Sequence, residues 1–127
     1  MATAAHLDTH IALWLYDATL DRISFQQRDL IETCDLRVSE FVRLEMQYLH
    51  EIGRIKITPA RILSHLAAHA EVSLSGCQLR VIIDEAMKLG WTRDPFDRMI
   101  VANAQAEKCR LITCDENILK HCRLAIG

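Results

Sequence analysis

The sequence predicts an α/β layered fold with a mostly parallel central sheet flanked by helices. Short apolar segments typical of strands alternate with longer amphipathic segments typical of helices along the 127 residues. Three of these strands are followed directly by a polar side chain: Asp8, Ser39 and, two residues after Thr113, Asp115. In open parallel sheets the functional crevice lies beyond the carboxyl ends of the strands. We therefore expect these side chains to converge on one crevice.

The first elements are predicted from apolar spacing and from capping signals. Residues 4–7 form a short buried strand that ends at Asp8, and residues 9–16 have the apolar spacing of a helix. Ser24 and Gln27 have the spacing of a capping box, which opens a second helix that runs to about Thr33. A second strand is predicted over residues 36–38.

A longer amphipathic helix follows Ser39 and runs to about Ile52, where Gly53 is placed to end it. Glu45 lies in the middle of this helix beside apolar neighbours, and no cation stands four residues before or after it. A partly buried glutamate without such a partner requires an explanation. Glu45 is therefore either a functional acid or a surface glutamate at the helix margin.

The second half repeats the alternation of strands and helices. Helices are predicted over residues 60–70, 79–89, 95–108 and 115–121, and strands over 72–74, 110–113 and 124–126. Pro59 precedes the first of these helices and Gly90 stops the second. Asp94 and Pro95 have the N-cap and first-turn positions of the third.

Composition indicates a single domain over residues 1–127, with half of its residues hydrophobic and a net charge of −2. No apolar run reaches the roughly 18 residues that a membrane span requires, and the N-terminus lacks the features of a signal peptide. A cytoplasmic protein is expected. The one local basic group, Arg54, Lys56 and Arg61, is best explained as a solvated face.

The five cysteines are odd in number and contain no CxxC pair. They are expected to be reduced and mostly buried thiols, because a zinc site requires two closely spaced pairs of ligands. His65 and His69 stand four residues apart and are expected to share a helix face rather than to bind metal.

Each acid that follows a strand or opens a helix also has a structural explanation. Asp8 is a candidate N-cap, although Thr9 is expected to cap that helix equally well and so to leave Asp8 free. For Asp94 the N-cap explanation is preferred. Asp97, in the first turn of the helix, and Asp115, in a Thr113–Glu116 capping-box pattern, stay open between structure and function on local grounds.

Several short motifs, taken in order, carry a resemblance to a known family. They are Leu7-Asp8-Thr9-His10 with Trp14-Leu15, Ser39 with Glu45 and Gly53, Arg93-Asp94-Pro95-Phe96-Asp97-Arg98, and Leu111-Ile112-Thr113-Cys114-Asp115. In order and spacing the set resembles the PIN-domain nucleases, and within them the VapC-type toxins of bacterial toxin–antitoxin pairs. The resemblance covers roughly residues 5–120. Cys114 departs from it, because a basic or polar residue is more usual there.

The resemblance implies a PIN-like three-layer fold and a metal-dependent endoribonuclease. Asp8, Glu45, Asp97 and Asp115 would be the acidic set that binds Mg²⁺ or Mn²⁺, the hard cations that carboxylates prefer. Asp94 would be an accessory acid or only the helix cap. Thr9, Ser39 and Thr113 would be supporting hydroxyls.

The resemblance also implies an RNA substrate, an antitoxin protein as partner and a homodimer. Phe41, Tyr48, Ile52 and Ile55 are candidates for a partner surface, with burial in the core as the alternative. One competing hypothesis is a solitary or degenerate PIN domain that binds RNA or protein without cleavage. Another is a phosphotransfer protein of the HAD or receiver type, which is disfavoured because no second Asp follows Asp8 at DxD spacing.

Overall fold

The computed structural model describes residues 3–127, which form one five-stranded sheet surrounded by α-helices. The strands are β1 (Ala4–Leu7), β2 (Asp35–Val38), β3 (Ser73–Leu74), β4 (Arg110–Ile112) and β5 (Ala125–Ile126). The helices are α1 (Thr9–Asp17), α2 (Phe25–Thr33), α3 (Glu40–Glu51), α4 (Pro59–Ala70), α5 (Leu79–Ala86), α6 (Pro95–Ala106) and α7 (Glu116–His121). Residues 1 and 2, at the start of the expected domain, lie outside the described residues.

The sheet has the strand order β3-β2-β1-β4-β5, and all four pairings are parallel. The prediction of an α/β fold around a parallel sheet is confirmed. Strand β1 lies in the centre, with Ala5 opposite Leu36 on one side and opposite Arg110 on the other. The chain builds outward from β1 through β2 to β3, and β4 then pairs with the free side of β1. The strand order thus reverses beside β1, where ligands bind in sheets of this kind.

Helix α6 is the most deeply buried helix of the fold. Its middle residues Ile100, Val101, Ala102 and Ala104 are fully buried, and it packs against α5, α3 and β4. Interiors of proteins are close-packed and resist displacement. The first turn of α6 is consequently held in a fixed position relative to the sheet.

Several predicted boundaries shift by a few residues. The helix predicted over 79–89 ends at Ala86, and the helix predicted over 95–108 ends at Ala106, because Lys108 has a left-handed φ of 56°. The strand predicted over 110–113 ends at Ile112, and a 3₁₀ turn at Leu20–Arg22 was not predicted. Apart from the 3₁₀ turn, which is an additional element, each change falls at an element end, where local signals specify the structure least.

The cysteine prediction is partly confirmed and the prediction for the two histidines of α4 is confirmed. All five cysteines are free, with Cys109 and Cys122 buried and Cys114 exposed, so the thiols are reduced but only partly buried. His65 and His69 stack on an exposed face of α4, as expected, with ring centroids 4.1 Å apart. Within residues 3–127, no helix combines the length and hydropathy that a membrane crossing requires.

Candidate functional site

Asp8 follows β1 and is 6% exposed. One carboxylate oxygen accepts from the backbone amide of Thr9 at 2.8 Å, and the other accepts from the Thr113 hydroxyl at 2.5 Å. Burial raises the pKa of Asp8, and these two hydrogen bonds oppose the rise. Each carboxylate oxygen has a further lone pair, so both keep the capacity to bind another group.

The expectation that Thr9 caps α1 in place of Asp8 is wrong. Asp8 has the extended backbone of an N-cap (φ −68°, ψ 162°), whereas Thr9 is the first helical residue. The Thr9 hydroxyl instead donates a short hydrogen bond to Oε1 of Glu45 on α3. Thr9 therefore orients Glu45 and joins α1 to α3.

Glu45 is half-buried, as its sequence position suggested. Burial raises its pKa, the hydrogen bond from Thr9 lowers it, and the charge of Asp8 raises it again. An electrostatic effect of this kind requires the two carboxylates to be near one another. Glu45 thus belongs to the same edge of the sheet as Asp8.

Asp94 and Asp97 both lie at the start of α6 but have different roles there. The Asp94 carboxylate caps the helix and accepts from the amides of Phe96 at 2.9 Å and Asp97 at 3.1 Å. The N-cap prediction for Asp94 is confirmed. The Asp97 carboxylate accepts no hydrogen bond from any residue among 3–127, so it takes no part in capping the helix.

Asp115 caps α7 through its own carboxylate, which accepts from the Ile118 amide at 3.0 Å. The capping box suggested for Thr113 and Glu116 is therefore wrong. Thr113, fully buried, donates to Asp8 and accepts from the Asp115 amide at 3.1 Å. A single hydroxyl thus connects the chain after β1 with the chain after β4.

The third expected hydroxyl is placed differently. Ser39 is fully buried after β2 and accepts from the Phe41 amide at 3.0 Å, as the N-cap of α3. Its hydrogen bond holds the start of the helix that carries Glu45. Ser39 therefore contacts the helix backbone rather than an acid.

Asp97 experiences the charges of all the other acids at this edge. Burial is the largest cause of a shift that raises its pKa to about 7, followed by repulsion from Asp94, Asp8, Asp115 and Glu45 in that order. The structure therefore brings the predicted acids into one electrostatic cluster. We call Asp8, Glu45, Asp97 and Asp115, with Asp94 beside them, the acidic edge.

Within the part of the chain that the structure describes, no three His, Cys, Asp or Glu side chains are arranged to hold a metal ion as they stand. Carboxylates at short range repel one another. A hard divalent cation relieves that repulsion, and its preferred ligands are oxygen atoms. The donor chemistry of the acidic edge fits such an ion, and the four carboxylates would have to draw together to bind it.

Two residues lie beside the acidic edge that the sequence did not assign to it. His10 is close enough to Asp8 and Glu45 for its charge to lower the pKa of both. Gln27 is buried, and its side-chain amide donates to the backbone carbonyl of Thr113 at 3.0 Å. The only signal for Gln27 was its capping-box spacing, which the structure confirms.

A second polar cluster centres on Glu107, just after α6. Its carboxylate accepts from Ser75 at 2.8 Å and pairs with buried His6 at 2.6 Å and with Arg37 at 3.0 Å. Asn103 completes the cluster by donating to the Ser75 hydroxyl at 3.0 Å. These contacts tie the end of α6 to β1, to β2 and to the chain after β3.

Comparison with known sequences identifies relatives over almost the whole chain. The sequence model of the PIN domain matches residues 5–124. Ribonuclease VapC22 of Mycobacterium tuberculosis is 30% identical over 123 residues, which cover 94% of this chain and 92% of that protein.

Solved structures share the fold at lower sequence identity. VapBC2 from Rickettsia felis, bound to a DNA fragment from its promoter, superposes with a TM-score of 0.68 at 19% identity, covering 98% of this chain and 96% of the other. A toxin–antitoxin complex from Klebsiella pneumoniae superposes with a TM-score of 0.67 at 16% identity, covering 97% and 96%. The similarity extends over the full sheet and its helices.

Proposed function

Because the chain belongs to the PIN domain family, we propose that it is a metal-dependent endoribonuclease and the toxin of a type II toxin–antitoxin pair. The observation that carries the proposal is the acidic edge, where four predicted acids lie at the reversal of strand order. The similarity to a ribonuclease over 94% of the chain supports RNA as the substrate.

Asp8, Glu45, Asp97 and Asp115 would hold Mg²⁺ or Mn²⁺. When bound, the ion supplies an activated water and neutralises charge on the phosphodiester. Asp8 is prepared for this role by two hydrogen bonds that fix its orientation, and Glu45 by its bond from Thr9. Asp97 differs, since its carboxylate accepts no hydrogen bond from the described residues. Burial and then repulsion from the neighbouring acids raise its pKa to about 7, and a cation would relieve the repulsion.

The remaining residues position these acids. Thr113 holds Asp8 and the Asp115 loop together, and Gln27 holds the Thr113 backbone. Asp94 caps the helix that presents Asp97. Catalytic groups must be held close to their productive geometry, and such neighbours do so.

We further propose an antitoxin protein as the partner, a homodimer as the working form and the cytoplasm as the location. The structural relatives from Rickettsia felis and Klebsiella pneumoniae are themselves toxin–antitoxin complexes, which supports an antitoxin for this chain. The exposed apolar side chains of α3 support a surface for self-association.

The test is cleavage of single-stranded RNA by the purified protein with Mn²⁺ or Mg²⁺. We expect endonucleolytic products that disappear when EDTA is added. Asp8→Ala and Asp97→Ala should each reduce the rate by at least about 100-fold, because each removes a ligand of the ion that activates the water and neutralises charge on the phosphodiester.

The matched control is Asp29→Asn, which removes an exposed carboxylate on α2 away from the acidic edge and should cleave at the wild-type rate. Circular dichroism would show that all variants are folded. Cleavage that survives EDTA contradicts the metal mechanism. RNA binding without cleavage under any metal condition would favour a binding module instead.

A further inference from the structure

A groove next to the acidic edge has the size and lining of a ligand site. It has a volume of about 370 Å³ and lies between α1 and the segment that follows α3. Sites for small ligands begin at roughly 300 Å³ and are lined by apolar and aromatic side chains with a few polar groups. The side chains that define this surface, which we call the basic groove, are those of His10, Trp14, Tyr16, Ile55, Arg54 and Lys56.

The charge of the basic groove is opposite to that of the acidic edge. Arg54 and Lys56 are exposed, and Asp17 is the one acid among the described residues that line the groove. A further cation stands at its aromatic wall, where the Arg22 guanidinium lies 5.5 Å from the centre of the Trp14 ring. Such a surface attracts phosphates, which the acidic edge repels in the absence of a cation.

Helix α1 connects the two surfaces. His10 lines the basic groove, and its charge lowers the pKa of Asp8 and Glu45 at the acidic edge. Trp14 follows four residues later, about 6 Å further along the same face of the helix. A strand of RNA that crosses the acidic edge would therefore meet the basic groove next.

The aromatic and apolar lining suits a nucleobase. Trp14, Tyr16 and Ile55 are half-buried, so each presents an exposed portion to solvent. Single-stranded nucleic acids bind where aromatic side chains contact the bases and cations contact the backbone. The basic groove combines both kinds of side chain in one site.

We propose that the basic groove binds one nucleotide of the RNA next to the phosphodiester that is cut, with its base against Trp14 and its phosphate at Arg54 and Lys56. This inference rests on the proposed ribonuclease function and deepens it. It assigns a role in substrate binding to the basic residues at 54 and 56, which from the sequence were best explained as a solvated face.

The first experiment separates substrate binding from catalysis. In the double variant Arg54→Gln/Lys56→Gln, we expect the KM for single-stranded RNA to rise about tenfold with kcat changed less than about twofold, because two phosphate contacts are lost. Arg61→Gln is the matched control: it removes a neighbouring exposed arginine that lies outside the groove. Its KM should stay within about twofold of the wild-type value.

The second experiment does not depend on cleavage. The chain has two tryptophans, so the variant Trp91→Phe leaves Trp14 as the sole indole reporter. Adenosine monophosphate, which contains no internucleotide bond, should quench Trp14 fluorescence saturably. The half-saturating concentration should rise at least about fivefold when Arg54 and Lys56 are also replaced by Gln.

The outcomes distinguish this inference from the proposed function. RNA cleavage with an unchanged KM in the double variant, or an equal rise in Arg61→Gln, overturns the nucleotide site and leaves the nuclease intact. Saturable binding of adenosine monophosphate without any RNA cleavage supports the site and contradicts the nuclease. If the double variant weakens only the binding of an antitoxin protein, the groove is a protein-docking surface and the inference is wrong.

Discussion

Asp8 and Asp97 both belong to the acidic edge, but only Asp8 is held by hydrogen bonds. Asp8 is held by the Thr9 amide and by the Thr113 hydroxyl, which favour its ionised form against the effect of burial. Asp97 accepts no hydrogen bond from the described residues, and burial together with repulsion raises its pKa to about 7. A divalent cation would have the largest effect on the ionisation of the acid that lacks such support.

Asp97→Asn tests this difference at the level of one residue. Mg²⁺ or Mn²⁺ should raise the Tm of the wild-type protein, because the ion binds the folded state. The amide keeps the shape of the side chain and loses its charge, so the rise should be much smaller in Asp97→Asn. In EDTA the variant should be at least as stable as the wild type, since repulsion is relieved.

The measurement is thermal unfolding with increasing metal, and Asp29→Asn serves as the control. If Asp97→Asn shows the same increase in Tm as the wild type, Asp97 does not bind the metal.

Glu107 provides a pH prediction away from the acidic edge. Burial raises its pKa, but hydrogen bonds from Ser75 and His6 and the charges of His6 and Arg37 lower it below the ordinary value overall. The folded state therefore favours the carboxylate. Its stabilising effect is present above the unfolded pKa of about 4.3 and is lost as the pH falls through the lower folded pKa.

Glu107→Gln should consequently lower the free energy of unfolding by about 1–3 kcal/mol at pH 7, because it weakens hydrogen bonds to a charged group. The difference between variant and wild type should shrink as the pH falls from about 5 to 3. Urea unfolding at several pH values measures it. A difference that stays constant over this range would show that the Glu107 charge is not the cause.

Helix α6 has Asp97 of the acidic edge in its first turn, and Glu107, which fixes the helix to its neighbours, just after its last turn. Asp94 and Pro95 start the helix, Asp97 lies in its first turn, and its buried middle fixes it against the sheet. Glu107 follows its last turn and is tied to β1, to β2 and to the chain after β3. The position of Asp97 is thus set by the whole helix rather than by local contacts.

Asp94→Ala tests the separation of capping from metal binding within this helix. The loss of the cap should cost about 1 kcal/mol of stability. RNA cleavage should fall far less than in Asp97→Ala, since the Asp94 carboxylate is engaged by the amides of Phe96 and Asp97. Chemical unfolding and initial cleavage rates measure the two effects. An equal loss of activity without destabilisation would make Asp94 a ligand.

At the scale of the whole molecule, α3 presents its acid to the site and an apolar face to solvent. Leu44, Tyr48 and Ile52 are each about half exposed, whereas Phe41 and Ile55 are partly buried and pack against the core. Only part of the surface expected for a partner is therefore available. Apolar side chains that are exposed together favour association between molecules.

Light scattering should report a mass of about twice the 14.5 kDa of one chain. Leu44→Glu should shift the protein toward the monomer, because it places a charge in the apolar contact. Phe25→Glu is the control, since Phe25 is 89% exposed on α2, on a different part of the surface. A wild-type protein that stays monomeric at high concentration contradicts the dimer and leaves the nuclease proposal unaffected.

Much of the fold could be predicted because its signals are local. Apolar periodicity located the strands and helices, and short-range chemistry identified Ser24, Asp94 and Pro95 as helix starts. The ordered set of motifs also identified the PIN family, whose sequence model matches residues 5–124. The helix and strand signals depend on residues only a few positions apart, and the family motifs on short segments in a fixed order, so the sequence alone determined them.

Tertiary structure decided which groups act on one another. Three side-chain hydrogen bonds join residues that are far apart in the sequence: Thr113 to Asp8 over 105 positions, Thr9 to Glu45 over 36, and His6 to Glu107 over 101. Local patterns assigned Thr9 and Thr113 to caps, whereas pairing of β1 with β4 and packing of α1 on α3 gave their hydroxyls other partners. Of the charges that act on Asp97, that of Asp94 is local, whereas those of Asp8, Asp115 and Glu45 come from three other parts of the chain that only the fold brings near it. Electrostatic interactions depend on distance in space and not along the chain.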